Sequence, residues 1–291
     1  SKHSLSLDKL FSVKGKRVLV TGGGRGLGKM VAAGFVANGA HVIIASRDQE
    51  AIKVTAAELS GADGLCIPLQ ADLSSRTGCE QLAADFAAAD LGGEARCDIL
   101  VNNSGASWGE PLLRRSGRMN WGWDKVLDLN VKAPFYLTRA MIPLLSASHP
   151  CSMDTDPARV INVGSIAGVL PQDVPTHAYD VSKAALHHLT KKLAAELARP
   201  SPDVVGARAI TVNAIAPGFV PTKMSAGLST WGGDAATLAS NIPLGRCGDE
   251  RDMAGIALYL ASPAAAWVTG AIIPVDGGAT GTARIPVVPE D

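Results

Sequence analysis

Seven short apolar runs punctuate the chain at residues 17–20, 41–45, 64–69, 99–101, 160–163, 210–215 and 271–275. Each has the length of a strand, and each is apolar at nearly every position rather than alternating. That is the mark of strands buried on both faces. Between them, at residues 29–38, 49–59, 81–89, 123–145, 182–198 and 249–261, apolar positions recur at helical spacing. Gly39 follows the first of these helices as a natural cap. Strands alternating with helices predict an α/β fold: a doubly wound parallel sheet of about seven strands flanked by helices.

No internal repeat and no linker divides the 291 residues, so residues 1–291 read as a single domain. Residues 107–120, 146–157 and 199–206 read as surface insertions. Residues 221–241 differ: they are polar and Gly-rich, carry isolated Met, Leu and Trp, and follow a strand end where ligands bind in such sheets.

Charge changes the picture by exclusion. Lys+Arg and Asp+Glu both total 27, which argues against nucleic acid or an anionic membrane as partner. No apolar run approaches a membrane span. The first residues show no apolar signal core and the last no peroxisomal or prenyl address. The five cysteines are scattered without a C-x-x-C, and read as reduced thiols. A cytoplasmic location and no metal site are therefore expected.

Candidate chemistry enters with the glycines. Directly after the first strand comes Thr21-Gly22-Gly23-Gly24-Arg25-Gly26-Leu27-Gly28. Glycines at 24, 26 and 28 let a backbone turn tightly against a pyrophosphate, whose charge then meets a helix N-terminus. Sites that prefer NAD carry an acid at the end of the second strand. Here Ser46 and Arg47 stand there, and Arg25 lies inside the turn. Arginine and serine bind a 2′-phosphate that a carboxylate would repel, so the pattern favours NADPH or NADP over NAD. The alternative is that the arginines are solvated and Asp48 serves as the ribose acid. Far downstream, Tyr179 and Lys183 lie one helical turn apart, a phenol beside a cation.

These pieces resemble the short-chain dehydrogenases/reductases over nearly the whole chain. The matching segments are T-G-G-G-R-G-L-G at 21–28, A-D-L at 71–73, N-N-S-G at 102–105, Asn130 within L-D-L-N-V, and G-S at 164–165. They continue with Y-D-V-S-K at 179–183, P-G at 217–218, and V-T-G and V-D-G-G between 268 and 278. Residues 102–109 and 182–187 are further similar to the rhamnolipid-type β-ketoacyl reductases and their fungal relatives. Ser104 departs from the family's usual Ala.

The resemblance implies an oxidoreductase with a catalytic set of Asn130, Ser165, Tyr179 and Lys183, and a homotetramer or homodimer. Reduction of a ketone needs a hydride on carbon and a proton on oxygen. Tyr179 is expected to give that proton, with its pKa lowered by the Lys183 charge. Ser165 is expected to hold the substrate oxygen, and Asn130 a water that returns protons through Lys183. The resemblance also places Asp72 and Leu73 beside the adenine, Asn102 and Gly105 under the adenosine ribose and near the phosphates, and Ser104 among the cofactor-binding residues. Pro217, Gly218, Val220 and Thr222 fall at the nicotinamide. A turn role for Asp72 and Pro217-Gly218 stays open. Trp108 and Trp231 are expected at the substrate mouth, and His187 and His188 as packing or interface residues.

The leading expectation is an NADPH-dependent reductase of a 3-oxoacyl thioester or medium-sized ketone. An NAD(P)-dependent dehydrogenase of a sugar, polyol or steroid alcohol is the alternative. A non-catalytic dinucleotide sensor is a third.

Overall fold

The structure, a computed structural model, describes residues 5–61, 64–91, 95–113, 121–147, 156–200, 207–225 and 235–282. Its centre is a sheet of β1 (Arg17–Thr21), β2 (His41–Ser46), β3 (Leu65–Gln70), β4 (Ile99–Asn102), β5 (Ala158–Val163), β6 (Ile210–Pro217) and β7 (Ile272–Val275). The strands are parallel and lie in the order β3-β2-β1-β4-β5-β6-β7. Sequence order reverses between β1 and β4, so a crevice opens beyond the strand ends at that point.

Helices cover both faces. They are α1 (Leu7–Leu10), α2 (Gly26–Ala37), α3 (Gln49–Leu59), α4 (Arg76–Ala88), α5 (Trp121–Leu127), α6 (Ala133–Ser146), α7 (His177–Leu197), α8 (Ala235–Ser240) and α9 (Glu250–Ala261). Alternation along each strand divides the core. Val18, Val20, Val42 and Ile44 pack with Phe35 of α2 and Met253 and Leu260 of α9. Leu19, Ile43, Leu100 and Val160 pack with Leu82 and Phe86 of α4 and Leu137 and Met141 of α6. Every residue of β1, β4, β5 and β6 is buried, which is why those runs carry no polar alternation.

Three boundaries differ from the periodicity. The stretch 123–145 is not one helix, because a π turn (Asp128–Lys132) joins α5 to α6. α7 begins at His177, so Tyr179 lies inside it. α4 begins at Arg76 because Ser75 caps it, its Oγ accepting from Gly78 N at 3.1 Å.

The N-terminal edge of the sheet is fastened by buried charge. Asp98 accepts from Arg17 N at 2.8 Å and lies 2.9 Å from Arg208 Nη2. Asp156 pairs with Lys16 at 2.9 Å and with Arg159 at 2.5 Å. Lys16 and Arg159 also donate to the carbonyls of Ala261 and Ser262 at the end of α9. Burial, with Arg159 nearby, pushes the Lys16 ammonium down to about 8. Among the described residues no helix is long and apolar enough to cross a membrane.

Candidate active site

At the opposite, C-terminal edge, the chain leaves β1 through the glycine turn. Gly22 and Gly26 adopt left-handed backbone, with φ of 66° and 55°. A Cβ on Gly28 would lie 2.3 Å from the Gly22 carbonyl oxygen and 2.5 Å from Asn103 Nδ2. Only glycine lets α2 start this close to the turn. No side chain caps the start of α2, which leaves its first N–H groups for an anion.

A cavity of about 230 Å³ opens here. Gly22, Gly24, Arg25, Gly26 and Leu27 form one wall and Ser46, Arg47 and Asp48 one end, while Leu73, Ser104 and Gly105 flank it. Tyr179, Lys183 and Thr222 line it as well. One hollow therefore joins the glycine turn to the Tyr-Lys pair.

At the Ser46 end, Asp48 caps α3 by accepting from Ala51 N at 3.2 Å. Its other oxygen lies 3.7 Å from Arg25 Nη1, and both side chains are at least half exposed. Asp48 thus faces the cavity already engaged with a cation and a helix start.

The two asparagines after β4 divide their work. Asn102 is buried, and its side chain donates to Thr138 Oγ1 at 3.1 Å and Asn162 Oδ1 at 2.9 Å. It turns into the core and does not line the cavity, contrary to the expected ribose contact. Asn103 lines it instead. Its Nδ2 donates to the carbonyls of Thr21 and Gly22 at 2.9 and 3.3 Å and pins the glycine turn. Strand alternation was the available signal: of two adjacent asparagines at a strand end, only one can face the ligand.

Tyr179 and Lys183 come together on α7, with Lys183 Nζ 5.5 Å from the Tyr179 ring centre. The ammonium donates to the Val163 carbonyl at 2.7 Å. Burial pushes it down to about 8. The phenol departs from the expected direction. Burial raises its pKa, a hydrogen bond with Ser165 opposes that, and the Asp180 charge adds to the rise. Desolvation of the ring leads the shift, and the lysine charge is not among its causes. Ser165 begins a short 3₁₀ turn (Ile166–Gly168) after β5, and its Oγ accepts from Ala167 N at 3.1 Å.

Asn130 sits on the π turn, buried. Its Oδ1 accepts from Ala106 N at 2.8 Å, and its Nδ2 donates to Ala106 O and to Ser182 Oγ, both at 2.9 Å. Both amide hydrogens are spent on protein. The side chain is a strut between β4's exit and α7, and its N–H groups are not available to hold a water.

Several expected contacts lie elsewhere. Asp72 is exposed and accepts from Ser74 N at 3.0 Å, a turn role. Pro217 ends β6, Gly218 N donates to Val275 O at 3.0 Å, and Val220 is buried in the core. These three do not line the cavity; they carry the chain to Thr222, which does. Lys223 and Met224 line it too, and so do Ala106 and Leu129. Trp108 packs on Gly122 of α5, where a Cβ would meet its ring at 2.1 Å, and is not part of the cavity wall. Trp231 lies outside the described residues. Among the described residues, no group of His, Cys, Asp and Glu could hold a metal ion.

A parallel seven-stranded sheet with a glycine turn, a serine after β5 and Tyr-x-x-x-Lys on α7 defines a class of nucleotide-dependent oxidoreductases. The family model described as enoyl-(acyl carrier protein) reductase matches residues 22–280, and the chain belongs to the short-chain dehydrogenase/reductase family. It is 44% identical over 268 residues to the rhamnolipids biosynthesis 3-oxoacyl-(acyl-carrier-protein) reductase of Pseudomonas aeruginosa, covering 92% of this chain and 97% of that protein. It is 35% identical to the galactitol 2-dehydrogenase (L-tagatose-forming) of Cereibacter sphaeroides, covering 93% and 97%. Among solved structures it superimposes on the Pseudomonas aeruginosa RhlG/NADP active-site complex. There the TM-score is 0.79 and the identity 43%, over 93% of this chain and 98% of that one.

Proposed function

We propose that this oxidoreductase reduces a 3-oxoacyl thioester or medium-sized ketone with NADPH. The single observation that carries the reading is the continuous cavity from Arg25, Ser46 and Arg47, past the glycine turn, to Tyr179 and Lys183. The cavity walls fit the cofactor. The uncapped N–H groups of α2 suit a pyrophosphate, and the arginines with Ser46 suit a 2′-phosphate. The names of the similar reductase and of the NADP complex support this choice.

Bound NADPH supplies the hydride. The chain's own residues manage the proton. With its pKa raised, Tyr179 holds its proton at neutral pH and is a donor aimed at a substrate oxygen. Ser165, presented by the turn after β5, gives the substrate oxygen a second contact. As the proton leaves Tyr179, the Lys183 charge beside the ring stabilises the phenolate.

A second reading is oxidation of a polyol. Asp48 at the ribose end and the similar galactitol 2-dehydrogenase favour it. Fluorescence titration with NADPH and NADH, followed by addition of 3-oxoacyl thioesters or polyols, separates the two. Tighter NADPH binding, oxidation on adding the thioester, and turnover lost in Tyr179→Phe with binding retained are expected. NADH preference with polyol oxidation would establish the second reading. Binding without turnover on any ketone or alcohol would leave only a dinucleotide sensor.

A further inference from the structure

We propose that Thr55 is a positioning residue that turns the Gly24 carbonyl away from the dinucleotide, so that the glycine turn offers its N–H side to the pyrophosphate. The inference rests on the reading above that this turn holds NADPH.

An anion site made of backbone works only if carbonyl oxygens are kept out of it, because their partial negative charge repels a phosphate. A glycine-rich turn is free to flip its peptides, so something must hold the carbonyls back. On one side, Asn103 Nδ2 holds those of Thr21 and Gly22. On the other, Thr55 Oγ1 donates to the Gly24 carbonyl at 2.9 Å, reaching from α3 across 31 residues of sequence. Gly24 and Arg25 line the cavity, whereas Thr55 is 3% exposed and does not. Its hydroxyl therefore draws the Gly24 oxygen out of the hollow. The peptide joining Gly24 to Arg25 is planar and trans, so the Arg25 N–H points the opposite way. Among the described residues nothing accepts from that N–H, which leaves it for a ligand.

The direction of this bond sets Thr55 apart from an ordinary buried threonine. A hydroxyl inside a helix commonly donates to the carbonyl four residues back, as Thr190 does to Leu186 at 2.8 Å. Thr55 instead reaches out of its own helix to the turn. The contact is close along α3: a Cβ on Gly24 would lie 3.0 Å from Ile52 Cγ2, one turn before Thr55. The same helix is capped by Asp48 at the ribose end of the cavity. One rigid element thus spaces that end from the glycine turn. A valine would fill the space of Thr55 equally well, so the bond to Gly24 is what threonine adds.

The test is isothermal titration of the wild type, Thr55→Val and Thr55→Ser with NADPH, NADH and 2′-AMP, with steady-state kinetics alongside. Thr55→Val keeps the branched shape and loses the donor. It is expected to bind NADPH and NADH each about 5- to 10-fold more weakly, the worth of one hydrogen bond, because both carry a pyrophosphate. 2′-AMP carries the 2′-phosphate without a pyrophosphate, and should bind within about twofold of its wild-type affinity because its site is independent of the turn. KM for NADPH should rise while kcat at saturation stays within about twofold. Thr55→Ser should restore dinucleotide affinity. Unchanged dinucleotide affinity in Thr55→Val, weakening of 2′-AMP by the same factor, or a Ser variant no better than Val would overturn the proposal. A wild type that binds neither dinucleotide would sink the reading of the glycine turn instead. Should Thr55→Val not fold, Thr55→Ala against Thr55→Ser makes the same comparison, and equal NADPH affinity in those two would overturn the proposal.

Discussion

Asn130 Nδ2 donates to Ser182 Oγ at 2.9 Å, and Ser182 Oγ donates to the Tyr179 carbonyl at 2.7 Å. The π turn is thereby tied to the helix bearing Tyr179 and Lys183. Asn130→Ala strands the N–H and C=O of Ala106 as well as Ser182, at a cost of about 2–4 kcal/mol to folding. Urea denaturation should show that loss. Turnover should fall further than NADPH binding, because α7 loses its tie while the glycine turn does not.

Asp48 faces the end of the cavity with Arg25 3.7 Å away. Asp48→Asn keeps a good helix cap for α3 and removes the charge that opposes a 2′-phosphate. NADPH should bind several-fold more tightly and NADH no more tightly, with thermal stability nearly unchanged. Arg25→Ala with Arg47→Ala should weaken NADPH by about 10- to 100-fold and leave NADH almost untouched, the worth of charge-assisted bonds. Isothermal titration of both variants checks both halves.

Gly28→Ala puts a methyl 2.3 Å from the Gly22 carbonyl, which is backbone and cannot swing aside. The turn must open, costing about 1–3 kcal/mol and displacing the donors at the start of α2. Dinucleotide affinity should collapse while circular dichroism still reports the α/β fold.

Stability should rise with pH above neutrality. Lys16 and Lys183 fall to about 8 in the fold from an ordinary 10.5. Between those values the unfolded chain binds more protons, so unfolding grows less favourable as pH rises, by about 1 kcal/mol per lysine from pH 7 to 9. The buried thiols act the other way. Burial pushes Cys66 up to about 12 and Cys79 to about 11, and raises Cys97 too, from an ordinary 9. Above pH 9 the unfolded chain sheds protons that these thiols keep, and stability falls. A urea midpoint that peaks near pH 9 in the wild type, with a smaller rise in Lys16→Met, is the expected pattern.

The sheet was legible because strands buried on both faces leave unbroken apolar runs, and β1, β2, β5 and β6 lie where those runs lie. The glycine turn was legible because backbone crowding at Gly28 admits no other residue. The π turn was not, since one wide turn barely disturbs a helical period across 123–145. The exchange of Asn102 for Asn103 depended on which residue ends the alternation of β4. The direction of the Tyr179 shift depended on how deeply the ring is desolvated, a quantity set by residues far away in sequence.

The buried charges at the N-terminal edge have a consequence for change. Asp98 and Asp156 clamp segments from β1, β4, β5 and the approach to β6 to one another, and Lys16 and Arg159 reach the end of α9. None of those clamps touches the loops at the working edge. Such a frame tolerates exchange of the described segments 107–113 and 221–225 as cassettes, so a library that varies them can explore new substrates from a scaffold whose fastening is left whole.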